Sequence, residues 1–269
     1  MRPQVMGVLN VTPDSFSDGG AWADVDAAVA RGRALLAEGA DVVDVGGEST
    51  RPGAAPVGVD EELARVVPVI ERLAPEVAAA GRRLSVDTRH AEVAAAAIAA
   101  GASILNDVSA SLEHVAAGAG AAWVAMHMQG DPRTMQRDPR YDDVVAEVLG
   151  FLVEAAQRGR DAGVAEVWID PGIGFGKTAE HNWALLGALD RIVACGVPVL
   201  VGTSRKGFLG AAMQEADGGD DVPGPDDRLE GSITTAAWAA TMGAAMIRVH
   251  DVRATVAALD AVAPAGAAT

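Results

Sequence analysis

Short apolar segments alternate with longer Ala-rich segments along the chain. Eight runs of β-branched or apolar residues predict strands at 5–9, 42–45, 84–86, 103–105, 123–126, 167–169, 197–201 and 245–249. The segments between them predict helices, among them 25–38, 61–80, 91–100, 144–162 and 232–242. Strands that alternate with helices in this way are typical of a parallel sheet.

Eight such units favour a closed barrel over an open sheet. The chain has 269 residues, and a (β/α)8 barrel usually takes about 250. Gly-Ala pairs at 39–40, 101–102 and 243–244 recur between a helix and the next strand. No G-x-G-x-x-G motif opens a helix after a strand, which disfavours dinucleotide binding. The pattern therefore predicts an α/β fold, a single (β/α)8 TIM barrel that forms one domain over residues 1–269.

Long connections follow the first two predicted strands, at 10–24 and 46–60. They lie on the face of the barrel where catalytic residues are found, and Gly- and Pro-rich loops of this length are more often functional than not. A third long connection, 216–228, is dense in Gly, Pro and Asp and predicts a mobile acidic loop. The Ala-rich tail at 264–269 is expected to be frayed.

The chain carries a strong excess of negative charge. It has 21 Lys and Arg residues against 37 Asp and Glu, a net charge of −16. This field repels a nucleic-acid backbone or an anionic membrane surface, so neither is expected as a partner. It repels an anionic small substrate as well, so any phosphate site must gather local cations or a metal ion.

Cysteine content and hydropathy predict a cytoplasmic protein. The lone Cys195 excludes an intramolecular disulfide and any multi-Cys metal site. No apolar run reaches the roughly 20 residues that span a bilayer. No charged leader with an apolar segment precedes residues 5–9. We therefore expect a cytoplasmic location.

Polar groups follow nearly every predicted strand, at the end where barrel enzymes carry their catalytic residues. A single terminal Asp is explained at least as well by a helix N-cap as by catalysis. Capping gives no reason, however, for Lys206, Arg248 and His250 to follow the last two strands. Barrels often bind phosphate there, where Arg can bind it bidentately and Lys acts as a point charge. These three residues predict a cationic phosphate site.

The strand ends at Asp87, Asn106 and Asp170 predict a second kind of recognition. A carboxylate accepts from paired N–H groups, and an Asn amide both donates and accepts. Together they match a 2-amino-4-oxo heterocycle. An octahedral metal site built from carboxylates is the less favoured alternative, because no His-carboxylate cluster occurs at ligand spacing. His127 is left without a role, since it can equally be a structural histidine.

Longer motifs resemble the signatures of the dihydropteroate synthase family. They are Asn-Val-Thr-Pro-Asp-Ser-Phe-Ser-Asp-Gly-Gly at 10–20, Gly-Gly-Glu-Ser-Thr-Arg-Pro-Gly at 46–53 and Asp-Pro-Gly-Ile-Gly-Phe-Gly-Lys-Thr at 170–178. Ser-Arg-Lys at 204–206 and Arg-Val-His at 248–250 resemble later motifs of the same family. The resemblance covers the whole barrel and implies a pterin-binding TIM-barrel transferase of folate biosynthesis. It would join 6-hydroxymethyl-7,8-dihydropterin pyrophosphate to 4-aminobenzoate, giving 7,8-dihydropteroate and pyrophosphate.

The resemblance also implies roles for individual residues, with Mg2+ as cofactor. Asp87, Asn106, Asp170 and Lys206 would hold the pterin ring, and Asn10, Thr50, Arg248 and His250 the pyrophosphate, with Mg2+ near Asn10. Asp18 would meet the metal or the reacting cation, while Phe16, Pro52 and Phe175 would enclose the aminobenzoate ring.

In a dissociative reaction, pyrophosphate would leave first, and carboxylates such as Asp87 would stabilise the resulting cation. The sequence departs from some relatives at Gly207, where they carry a hydroxyl residue near the aminobenzoate carboxylate. The backbone amides that open the helix after Lys206, with Arg205 and Arg51, would then bind that carboxylate. Competitive inhibition by sulfonamides and a homodimer are further expectations from the family.

Two other functions remain open at this point. A methyltetrahydrofolate methyltransferase would share the ring pocket but would need no pyrophosphate site, so Arg248 and His250 count against it. A catalytically silent pterin-binding paralogue is the second alternative, since a fold does not determine a function.

Overall fold

The computed structural model describes residues 2–12, 20–49, 55–218 and 221–263, and for 20–24 the backbone alone. Eight parallel strands form one sheet in the order β6-β5-β4-β3-β2-β1-β8-β7. A parallel bridge between Ile169 and Val199 joins the two outer strands and closes the barrel. The predicted fold class is therefore confirmed. The strands are β1 (Gln4–Asn10), β2 (Val42–Gly46), β3 (Arg83–Asp87), β4 (Ile104–Asp107), β5 (Ala122–Met126), β6 (Val167–Asp170), β7 (Leu200–Val201) and β8 (Met246–Val249).

Helices follow the strands and cover the outside of the barrel. All five helices named from the sequence are present, with ends that differ from the predicted ones by at most five residues. The helices of the described residues are α1 (Gly20–Ala37), α2 (Val59–Ala79), α3 (Ala91–Ala99), α4 (Glu113–Ala119), α5 (Val144–Asp161), α6 (Ala179–Gly187), α7 (Leu189–Val193), α8 (Gly207–Asp217), α9 (Leu229–Thr241) and α10 (Val252–Val262). A membrane span is not found among these helices, because each is too short or too polar for one.

Two separate hydrophobic clusters fill the two faces of the closed sheet. The larger cluster joins outward strand residues such as Val43 and Leu105 to the helices. The smaller one packs inside the barrel and consists of Met6, Val42, Ile104, Ala122, Val124, Trp168, Leu200 and Met246. Because side chains alternate between the faces of a strand, positions two residues further along also point inward. Those positions are polar on β2, β4, β6 and β8, and they provide the floor of the candidate site.

Two segments differ from the sequence prediction. β7 is shorter than the predicted 197–201, because Pro198 has no N–H to donate to a neighbouring strand and contributes its carbonyl to Ile169 instead. The predicted acidic loop 216–228 begins within α8 and contains a 3-10 helix at Pro225–Asp227. The mobility of this segment and the single-domain organisation of 1–269 stay predictions. The predicted frayed tail, 264–269, lies outside the described residues.

Candidate active site

Asp87, Asn106 and Asp170 lie buried at the C-terminal ends of β3, β4 and β6, here called the rim. Asp87 and Asn106 are partners in the register of neighbouring strands. The Asp170 carboxylate accepts a hydrogen bond of 2.7 Å from the Gly172 amide. Burial raises the pKa of Asp170 above its usual range, although Lys206 opposes this shift. These three side chains give the rim two carboxylates and an amide that face the interior.

Arg248 connects two carboxylates inside the barrel. Its Nε donates to Asp44 Oδ2 and its Nη2 donates to Asp87 Oδ2, both at 2.7 Å. Burial alone would lower the pKa of Arg248, but Asp44 and Asp87 hold it above its usual value. Burial raises the pKa of Asp87 to about 7 against the opposing effect of Arg248. The pair therefore combines a permanent cation with a carboxyl group that titrates near neutral pH.

Asp44 is a further residue of the site, and its place in an apolar run of the sequence does not indicate this. This residue is completely buried in the middle of β2, and its Oδ2 also accepts a hydrogen bond of 3.1 Å from Asn106 Nδ2. It was hidden inside the apolar run at 42–45, which predicts only a strand. Asp44 lies two residues after Val42, so its side chain points into the barrel as that of Val42 does. This alternation is the signal in the sequence that could have identified it.

Lys206 lies close to Arg248 on the rim. A Cβ atom added to Gly202 would be 3.6 Å from Arg248 Cβ and 4.0 Å from Lys206 Nζ, so glycine leaves the two cations near each other. The Lys206 ammonium donates to the Ile173 carbonyl and lies 4.7 Å from the centroid of the Phe175 ring. Burial lowers the pKa of Lys206 to about 8, although Asp170 opposes this shift. Burial thus disfavours the charged form of Lys206, whereas Asp170 and the Ile173 carbonyl stabilise it.

His250 and Arg205 have separate partners. His250 Nδ1 lies 3.1 Å from Ser204 Oγ, at the end of β8. The Arg205 guanidinium donates to both oxygens of Asp251, at 3.0 and 2.7 Å, and also to Asp226. Two carboxylates neutralise Arg205, so this geometry favours a structural role. Its predicted contact with the aminobenzoate carboxylate stays a prediction.

Asp107 is a carboxylate at a strand end whose hydrogen bonds indicate a structural role. It is buried at the end of β4, next to Asn106. Its two oxygens accept from the amides of 109, 111 and 112, from Ser109 Oγ and from Trp123 Nε1. Asp107 therefore caps the loop after β4 with both of its oxygens, whereas the loop after β6 holds Asp170 through one oxygen only.

A buried lysine, for which the sequence predicts no role, joins the loops after β5 and β6. Lys177 Nζ lies 2.9 Å from His127 Nδ1 and donates to the carbonyls of Gly172 and Phe175, both at 3.0 Å. An ammonium has three donors, so these three acceptors satisfy it. Burial lowers the pKa of His127 to about 3, which leaves the imidazole neutral and able to accept through Nδ1. His127 thus has the structural role that the sequence left open, and Lys177 holds the loop that carries Phe175.

The close approach of these loops requires glycine at position 172. Its φ is +63°, and an added Cβ atom would lie 1.8 Å from the His127 carbonyl oxygen. We expect Gly172→Ala to lower the free energy of unfolding by at least about 3 kcal/mol, from positive φ and overpacking together. Gly81→Ala is the matched control, because Gly81 has a φ of +65° and nothing within 4 Å of an added Cβ. Urea unfolding should give a loss of only about 1 kcal/mol there, and equal losses at the two positions would contradict the contact.

The second long loop is anchored at its base by Glu48. Arg89 donates to both oxygens of this carboxylate, at 2.8 and 2.9 Å, and the Val57 amide donates to it at 3.1 Å. The predicted site residues Thr50, Arg51 and Pro52 follow directly after this anchor, but they lie outside the described residues. Phe16 and Asp18, predicted in the first loop, also lie outside them.

Comparison with known proteins identifies relatives of the whole chain. Residues 6–250 match the family model of the pterin-binding enzymes. The dihydropteroate synthase of Mycobacterium leprae is 50% identical over 268 residues, which cover 96% of this chain and 92% of the relative. A Xanthomonas albilineans dihydropteroate synthase solved with 4-aminobenzoic acid is 49% identical with a TM-score of 0.87, covering 97% of this chain and 92% of that one. The Yersinia pestis dihydropteroate synthase in a sulfonamide drug complex is 44% identical with a TM-score of 0.87, at 97% and 93% coverage.

Proposed function

Because the chain belongs to the pterin-binding enzymes, and within them to the dihydropteroate synthases, we propose that its rim joins dihydropterin pyrophosphate to 4-aminobenzoate. This assignment rests on one observation. Buried Asp87, Asn106 and Asp170 lie beside the cations Lys206 and Arg248. This group combines acceptors for a heterocycle edge with cations for a pyrophosphate. The resemblance seen in the sequence motifs is confirmed by the family match.

The pterin ring binds to the buried polar side chains of β3, β4 and β6. The 2-amino group and the neighbouring ring N–H donate to a carboxylate. Asp170 is best placed for this role, because the loop holds its Oδ1 through the Gly172 amide and leaves its Oδ2 to the ligand. Asn106 is oriented by Asp44 and presents its amide oxygen to a ring donor. A site of this kind rejects ligands that lack the matching N–H groups, since its buried acceptors would remain unpaired.

The pyrophosphate binds near Arg248, Lys206 and His250. In a chain of net charge −16, these local cations supply the attraction that the overall field does not. The C–O bond between the pterin methylene and pyrophosphate breaks, and its electron pair leaves with pyrophosphate. The Asp87 carboxylate stabilises the positive charge that develops on the methylene. The lone pair of the arylamine then forms the C–N bond, and the amine gives up one proton.

A Mg2+ ion is compatible with this part of the rim. The described residues contain no group of three or more His, Cys, Asp or Glu side chains that could hold a metal. Mg2+ in phosphate sites needs only one or two protein oxygens, because substrate phosphates and water complete its octahedron. Asn10, half-buried at the end of β1, would offer its amide oxygen as such a ligand. The ion would supply positive charge to the leaving pyrophosphate.

The aminobenzoate ring lies against Phe175 at the mouth of the barrel. Its carboxylate binds to the backbone amides that open α8, directly after Lys206, together with Arg51. Gly207 begins this helix, and an added Cβ atom there would meet nothing within 4 Å. The position therefore has room for the hydroxyl residue found in some relatives. Sulfonamides resemble aminobenzoate and would compete for the same surface.

The titrating groups of the rim predict a pH optimum. Turnover needs Asp87 as a carboxylate, with a pKa of about 7, and Lys206 as an ammonium, with a pKa of about 8. We expect kcat/KM for dihydropterin pyrophosphate to rise with pH through the first value and to fall above the second, because this parameter reports the free enzyme. Lys206→Arg should shift the alkaline limb upwards. A profile that stays flat between about pH 6 and about pH 9 would contradict these roles.

Product analysis tests the proposed function against its two alternatives. The purified protein, incubated with dihydropterin pyrophosphate, 4-aminobenzoate and Mg2+, should form 7,8-dihydropteroate, detected by mass spectrometry. Binding of a pterin without product would favour the silent paralogue. Methyl transfer from methyltetrahydrofolate to a cobalamin protein would favour the methyltransferase. That enzyme binds no pyrophosphate and would not need Arg248 beside the ring pocket.

A homodimer through the helices around β7 and β8 is part of the same proposal. Trp183 on α6 and Trp238 on α9 are 42% and 45% exposed and present large apolar side chains to the surface. The Trp238 indole donates to the Leu186 carbonyl, so the two helices form one surface. Sedimentation velocity would measure the assembly state. The cytoplasmic location stays a prediction.

A further inference from the structure

Asp44 has a position in the barrel that the proposed substrate contacts do not use. It is completely buried on β2, one layer below the rim, and its inward parity follows from Val42 in the interior cluster. A buried ionised carboxylate is costly unless it is paired, so its presence needs a reason. Both of its hydrogen-bond partners are residues assigned to substrate recognition.

One oxygen of Asp44 accepts from both partners. Arg248 Nε donates to Oδ2 at 2.7 Å, and Asn106 Nδ2 donates to the same Oδ2 at 3.1 Å. Arg248 belongs to the proposed pyrophosphate site and Asn106 to the proposed pterin site. The two partners come from β8 and β4, which are not neighbours in the sheet. Asp44 is therefore their shared acceptor, and it fixes the orientation of both.

The other oxygen, Oδ1, has no hydrogen-bond partner among the described residues. The same holds for Ser85 Oγ, which lies on β3 at the register position opposite Asp44 and is also buried. Oδ1 therefore makes no hydrogen bond to Arg248 or Asn106. An amide at position 44 could keep its oxygen on both donors and place its nitrogen where Oδ1 lies, without breaking either bond.

We propose that Asp44 is a positioning residue that ties pterin recognition to pyrophosphate recognition through this shared oxygen, an inference that rests on the proposed function. Loss of the acceptor frees the Asn106 amide to rotate and leaves Arg248 held by Asp87 alone. Both ligands should then bind more weakly. A role through charge alone predicts the opposite sign for pyrophosphate, because removal of an anion next to Arg248 would tighten the binding of another anion.

The experiment measures two dissociation constants by calorimetry, one for inorganic pyrophosphate with Mg2+ and one for 6-hydroxymethylpterin. We expect Asp44→Ala to weaken both at least about tenfold, since hydrogen bonds to charged groups contribute more than those between neutral groups. Asp44→Asn should remain within about threefold of the wild type, because it keeps the shared oxygen. Ser85→Ala, which removes the neighbouring buried oxygen without touching Arg248 or Asn106, is the matched control and should change neither constant.

Asp44→Thr gives a second test if the Asp44→Ala chain does not fold. Threonine is close in volume to aspartate, but its hydroxyl oxygen is bonded to Cβ and so lies one bond short of the position of Oδ2. The KM for 4-aminobenzoate should stay unchanged in the active variants. The inference is overturned if either ligand binds to the Ala or Thr variant as it does to the wild type, or if Asn weakens binding as much as Ala. Failure of the wild type to bind either ligand would instead remove the proposed function itself.

Discussion

Replacement of Asp170 by Asn should lower kcat/KM for dihydropterin pyrophosphate by about a thousandfold. A buried carboxylate offers two acceptors to a pair of ring N–H groups, whereas the amide offers one acceptor and turns a donor towards a donor. Mismatched buried polar groups of this kind cost about 2–5 kcal/mol. Because the Gly172 amide occupies Asp170 Oδ1 at 2.7 Å, the variant will keep its oxygen there and point its nitrogen at the ligand.

Asp107→Asn is the control for this prediction. Asp107 is also buried at a strand end, but its oxygens are occupied by loop amides, Ser109 and Trp123. The variant should therefore melt at a lower temperature while its KM for the pterin substrate stays close to that of the wild type. Steady-state kinetics and thermal melts on both variants distinguish the two roles. A loss of activity in proportion to the loss of stability at both positions would show that Asp170 is structural as well.

Arg248→Met should have the second large effect, because it removes the central cation of the site. Asp44 and Asp87 would then be two buried carboxylates without the partner that donates to each at 2.7 Å. Breaking a buried ion pair from one side costs about 3–5 kcal/mol, which corresponds to a fall in Tm of about 10 °C for a chain of this size. We expect kcat/KM to fall at least about a thousandfold, since the variant also loses a cation of the pyrophosphate site.

The loss of stability in Arg248→Met should depend on pH in a defined direction. The folded-state pKa of Asp87 is already raised to about 7, and removal of Arg248 raises it further. A carboxyl group whose pKa is raised in the folded state destabilises the fold as pH rises through the window between its unfolded and folded values. The Tm deficit should therefore be smaller at about pH 5, where the Asp87 carboxyl group is protonated, than at about pH 8. Arg253→Met, an exposed position on α10, is the control, and its Tm should match the wild type at both pH values.

Sequence patterns predicted the barrel because short apolar runs alternate with longer Ala-rich segments along the chain. They also predicted the polar strand ends at Asp87, Asn106, Asp170, Lys206 and Arg248, since parallel strands bring these ends to one rim. The assigned roles of these residues stay predictions that the experiments above can test.

The partners of these residues could not be predicted, because a pattern along the chain contains no distances across the barrel. Asp44 was concealed by the valines on both sides of it, and only the packing reveals that Arg248 and Asn106 share its oxygen. The three acceptors around Lys177 come from 127, 172 and 175, which meet only after β5 and β6 pair. The ion pairs of Arg205 with Asp226 and Asp251 likewise depend on the fold, and the contact of Arg205 with aminobenzoate stays a prediction.

The most direct test of the central claim is release of pyrophosphate by the purified protein from dihydropterin pyrophosphate and Mg2+, with and without 4-aminobenzoate. We expect this release to depend on aminobenzoate, to be stoichiometric with 7,8-dihydropteroate and to be lost in Lys206→Ala. If release does not respond to aminobenzoate, or if Lys206→Ala turns over like the wild type, the claim that the rim carries out the condensation is wrong.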